Sequence, residues 1–103
     1  METNNKMDIE IIDVELFTKE GKPVPPRHHY KILIDRQKYD VKQECMIGRE
    51  ILKLAGKVPV ERFQLNQRFR GGKVVKIGYD QTVCFTEPGI EKFMTIPLDQ
   101  TEG

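Results

Sequence analysis

Residues 30–42 read YKILIDRQKYDVK, and they set the fold. Tyr30-Lys-Ile-Leu-Ile34 is rich in β-branched and aromatic side chains. Asp35-Arg-Gln37 is a short polar turn, and Lys38-Tyr-Asp-Val-Lys42 is a second strand. A turn this short joins only antiparallel neighbours, so the stretch predicts a β-hairpin.

The pattern then changes period. Ile47, Ile51, Leu54, Ala55 and Val58 recur at helical spacing. Gly56 suits the end of that helix, and Pro59 blocks its continuation. Residues 62–69 (RFQLNQRF) alternate again, placing Phe63, Leu65, Gln67 and Phe69 on one face and leaving the other wet. Gly71-Gly72 marks a turn before a strand at 73–77, and a final strand is predicted at 91–96, ended by Pro97.

The order is strand, strand, helix, strand, strand, strand. An α+β fold follows, in which a mixed sheet of about four to five strands packs on one helix. This is the β-grasp (ubiquitin-like) plan, assigned to residues 28–97. In it the first and last strands run parallel and side by side, a pairing that needs a long crossover. The last strand then points its tail, residues 98–103, away from the domain.

Ahead of the hairpin lies an N-terminal arm, residues 1–27. Its first seven residues are polar and are expected to lack structure. Residues 8–17 (DIEIIDVELF) alternate apolar with acidic side chains over much of their length and predict a strand. Gly21, Pro23, Pro25 and Pro26 make a linker that cannot continue a sheet. That strand has no assigned partner in the domain. Ile9, Ile11, Val14 and Leu16 are therefore its candidate residues for addition to the sheet of a second molecule, a route to self-association.

Composition narrows the function. The 17 basic and 16 acidic residues leave a net charge of +1, unlike a nucleic-acid binder. No apolar run approaches the length of a membrane span and no signal peptide is apparent, so a cytoplasmic setting is expected. Cys45 and Cys84 lack metal-site spacing and are expected to be reduced thiols. His28-His29 has no third ligand nearby and reads as part of the solvated linker. No carboxylate pair or nucleophile–base constellation stands out, so no catalytic residue, metal or cofactor is assigned and an enzyme is not expected. Arg62, Arg68, Arg70 and Lys73 form a candidate basic docking face for a partner.

From Tyr30 onward the chain resembles the bacterial multiubiquitin-type ubiquitin-like domains. The resemblance rests on Tyr30-Lys-Ile-Leu-Ile-Asp35, Lys38-Tyr-Asp-Val41, Gly48-Arg-Glu-Ile-Leu-Lys-Leu-Ala-Gly56, Gln67-Arg-Phe-Arg-Gly-Gly72, Pro88-Gly-Ile-Glu-Lys-Phe93 and Pro97-Leu-Asp-Gln-Thr-Glu-Gly103, occurring in that order. It implies a protein modifier. A ubiquitin-activating-like enzyme would adenylate Gly103 with ATP, and a ubiquitin-conjugating-like enzyme would pass it to a target. A JAB-type metalloprotease would be encoded beside them, in operons linked to antiphage defence. Some such proteins string several domains together, whereas this chain carries one behind a non-matching arm.

A terminal glycine suits that chemistry, because no side chain obstructs approach to its carbonyl. Leu98, Asp99, Gln100, Thr101 and Glu102 would be the stretch read by the activating enzyme. Their acidity calls for a dedicated basic channel. Two rivals remain. A sulfur carrier uses the same activation but typically ends in a glycine pair, and a non-conjugated interaction module would not use the terminus at all.

Overall fold

The structure, a computed structural model, describes residues 9–98. The polar start of the arm and the tail residues Asp99, Gln100, Thr101, Glu102 and Gly103 lie outside the described residues. The hairpin forms as the sequence predicts: β2 (His29–Ile34) pairs antiparallel with β3 (Gln37–Val41). Tyr30, Ile32 and Ile34 are buried, and Lys31 and Leu33 between them point to the other face. Asp35 opens the two-residue turn at φ 57°, a region that aspartate tolerates better than most side chains.

The rest of the sheet follows from two pairings. The last strand, β8 (Ile90–Pro97), lies parallel to β2 at Ile34–Phe93 and antiparallel to β5 (Phe63–Phe69). β5 turns through Gly71 and Gly72, both at positive φ, into β6 (Val74–Ile77). The helix α2 (Gly48–Leu54) buries Ile51 and Leu52 completely. Its leading backbone N–H groups, on Gly48 and Arg49, donate to Gln81 and Tyr79 carbonyls at 3.0 and 2.7 Å. Glycine is required there, since a Cβ on Gly48 would lie 2.2 Å from the Gly78 carbonyl oxygen. The result is a β-grasp fold of α+β class, with a mixed sheet packed on one main helix.

Three features depart from expectation. The main sheet has six strands, because the arm contributes one. That arm is not a single strand over residues 8–17. It forms β1 (Ile11–Asp13), parallel to β2, and then a helix, α1 (Val14–Lys19), packed on β2 and β8. Asp13 switches the conformation: its carboxylate accepts the Leu16 N–H at 3.1 Å and caps the helix. Val14, Phe17 and Thr18 then face inward at i, i+3, i+4 spacing. Ile12 and Val14 join the same core as Tyr30 and Phe93, so the arm is part of the domain. Burying each contributes about 2 kcal/mol.

The second departure is a small sheet of β4 (Cys45–Ile47) with β7 (Thr82–Cys84). Its register sets Cys45 opposite Cys84 with Cα atoms 4.0 Å apart, and the two form a disulfide rather than the expected thiols. The third is the outer face of β5. It was expected to be wet, yet Asn66 is buried and accepts a hydrogen bond from Gln64 Nε2 at 3.1 Å.

Candidate functional site at the base of the tail

The tail leaves the domain from β8, whose C-terminal half is tied on both sides. On one side the turn after β2 grips it. Asp35 N–H donates to the Phe93 carbonyl at 2.8 Å, and the Asp35 carboxylate accepts from Thr95 N–H at 2.9 Å and from Thr95 Oγ1 at 2.7 Å. On the other side β5 holds it in register from Phe69–Ile90 to Phe63–Pro97. One further bond extends this ladder, from Leu98 N–H to the Arg62 carbonyl at 2.8 Å. Tyr79 braces the same corner, its hydroxyl donating to the Phe63 carbonyl at 2.8 Å. A cleft of about 210 Å³ opens beside Leu98, between Gln64, Lys76 and Tyr79.

Register also defines the outer face of the sheet. Val74 and Lys92 flank Arg68, Lys76 and Met94 flank Asn66, and Ile96 stands beside Gln64. Val74 and Ile96 are about half exposed there, and Leu98 continues the line at 38% exposure. Of these, Ile96 and Leu98 lie at the exit of the tail, whereas Val74 lies at the other end of β5, beside Arg68.

Residues 30–97 match the family model for multiubiquitin. The chain belongs to the multiubiquitin family. Comparison with curated proteins and with solved structures gave no match. The multiubiquitin region opens at Tyr30 in β2 and closes at Pro97, the last residue of β8. It leaves out β1 and α1, although both pack into its core, and it stops where the tail begins.

Within this multiubiquitin domain the predicted basic residues do not share one surface. Arg62 lies in the 3-10 turn Val60–Arg62 ahead of β5, and Arg68, on the outer face, has its Nε 3.2 Å from Glu91 Oε1, an ion pair without hydrogen-bond alignment. Lys73 sits in the β5–β6 turn. Arg70 points elsewhere, toward the loop after α1, where a Cβ on Gly21 would lie 3.0 Å from Arg70 Nη1. The sequence reading missed the exposed apolar residues Ile96 and Val74, because which face of β8 and β6 they take is fixed by the pairing with β5.

The arm residues are likewise divided. Ile11 lies in β1 against β2 of its own chain, Val14 is buried in α1, and Ile9 and Leu16 are exposed. A cluster of charge fastens this arm. Lys38 Nζ on β3 donates to both Asp13 carboxylate oxygens, at 2.8 and 2.7 Å, and lies 3.0 Å from Glu15. Lys19 pairs with Glu15 from the other side at 3.1 Å. Burial opposes ionisation of Asp13 and Glu15, but the hydrogen bonds from Lys38 and its charge outweigh it and hold both carboxyls below their ordinary values. The His28 ring, expected to be solvated, accepts the Glu10 N–H at Nδ1, 3.1 Å away. Among the described residues no group of three His, Cys, Asp or Glu side chains is placed to hold a metal, and no helix is long and apolar enough to cross a membrane.

Proposed function

We propose that this protein is a conjugated modifier whose reacting group is the carboxyl of Gly103. One observation carries the reading: the family domain ends with its last strand clamped between Asp35 and β5, and an acidic segment follows directly. A last strand held on both sides just ahead of those residues suits delivery of a terminus into another protein's cleft.

The chemistry needs an activating enzyme. The Gly103 carboxylate attacks the α-phosphorus of ATP, releasing pyrophosphate and forming an acyl adenylate. A cysteine thiolate of the enzyme displaces AMP to give a thioester, and transfer to a conjugating enzyme exchanges one thiolate for another. An amine or hydroxyl of the target then displaces the thiolate, so the product weighs the sum of both partners less one water. A JAB-type metalloprotease is the partner that reverses the bond, antiphage defence is the setting, and the compartment is the cytoplasm.

Intact mass spectrometry after mixing the protein with its activating and conjugating enzymes and ATP tests this. An adduct formed by the full chain and absent from a chain lacking Gly103 is the expected result. No adduct from enzymes shown to be active overturns it. A second reading, a non-conjugated interaction module, is favoured by Ile96 and Leu98, exposed apolar side chains at the end of β8, which give a binding partner a surface with no need of the terminus.

A further inference from the structure

A second cleft lies at the opposite end of β8 from the tail. It has a volume of about 300 Å³ and runs between the loop after α1 and the loop leading into β8. Pro23, Val24 and Pro88 form an apolar wall, and Thr18 and Thr86 also line it. Arg70 stands at the rim. Its backbone N–H is spent on the Gly89 carbonyl at 2.8 Å, which fixes the residue, while its guanidinium rests against Gly21 and has no carboxylate partner among the described residues. Lys22, also at the rim, is already paired with Glu20 at 3.1 Å. The open cation of the cleft is therefore Arg70, beside a small apolar wall.

The matching ligand is in the chain itself. Leu98 exposes its side chain where the tail begins, and Asp99 and Glu102 follow within four residues. An apolar side chain trailed by carboxylates fits an apolar wall with an arginine at its rim. The tail of the same chain does not reach. The eight residues of β8 span about 26 Å, whereas four residues past Leu98 extend at most about 14 Å.

We propose that the Arg70 cleft binds the acidic tail, residues 98–102, of a second copy of this chain. The contact joins two different surfaces, so it links copies head to tail rather than closing a symmetric pair. It does not require conjugation, although it engages the same residues 98–102 that an activating enzyme would read, and it differs from exchange of the arm, since β1 and α1 stay in place.

The test is a titration of the isotope-labelled full chain with a synthetic peptide of residues 96–103, followed by NMR. The expected result is saturable shifts at the Thr18, Gly21, Thr86 and Gly89 amides. Binding should weaken about tenfold or more with a D99N/E102Q peptide or an R70E protein. Arg70 is exposed, so R70E is expected to fold, and a D99K/E102K peptide should recover binding to it. Shifts elsewhere only, equal binding by R70E, or equal binding of a scrambled peptide would each overturn the proposal, the last by showing a cleft for any acidic chain.

Discussion

Asp35 and Thr95, sixty residues apart, are joined by two hydrogen bonds onto one carboxylate, 2.9 Å from the Thr95 N–H and 2.7 Å from its hydroxyl. The same aspartate turns the β2–β3 hairpin at φ 57°. One residue thus closes the first hairpin and locks the strand that carries the tail.

Replacing Asp35 by alanine removes the acceptor and places a poorly suited residue at positive φ. A loss of about 2–3 kcal/mol in denaturant unfolding is expected. Asp35→Asn keeps an acceptor and tolerates the turn, so its loss should be smaller. Hydrogen exchange at the Thr95 amide should quicken in the alanine variant more than exchange at Ile32, which lies away from the clamp.

The Lys38 cluster makes attachment of the arm depend on pH. Asp13 and Glu15 have carboxyls depressed below 3.8 and 4.5 in the fold. Their stabilisation is therefore present above those ordinary values and is lost as pH falls through the lower folded ones. Lys38 is raised above 10.5 despite the opposing effect of burial, through its bonds to the same carboxylates, so its share is lost only as pH rises past its folded value. Lys38→Met should flatten the decline in stability of the wild type between about pH 5 and pH 2. Unfolding curves across that range, with proteolysis near residue 20 as a report on the arm, check it.

Cys45 and Cys84 close a loop with a sequence separation of 39. In the chain-entropy account, cutting that link costs about 4 kcal/mol. The paired serine variant should unfold at correspondingly lower denaturant under oxidising conditions and match the wild type once the latter is reduced. Thiol titration of the unreduced, unfolded wild type should find no free thiol. A cytoplasm keeps such bonds reduced as a rule, so the measured thiol count in protein taken from cells bears directly on the compartment.

The sequence alone determined the β-grasp order, because its signals are local. The YKILI–DRQ–KYDV hairpin, the helical spacing of Ile51 and Leu54, and the Gly71-Gly72 turn each depend on a few adjacent residues. It also presented the acidic tail, whose chemistry is a matter of composition. What only the tertiary structure decided involves pairs distant in the chain. Asp13 reads as one acid in an alternating strand, yet the Leu16 N–H and Lys38 make it a helix cap. Cys45 and Cys84 carry no spacing signal, because the β4–β7 register that apposes them is set by residues between and around them. Arg70 looks like one of four basic neighbours until its N–H bond to the Gly89 carbonyl, past the end of β5, sets it beside the Gly21 loop. Local propensity is written residue by residue, but register, burial and charge pairing exist only once the core around Tyr30 and Phe93 has brought distant segments together.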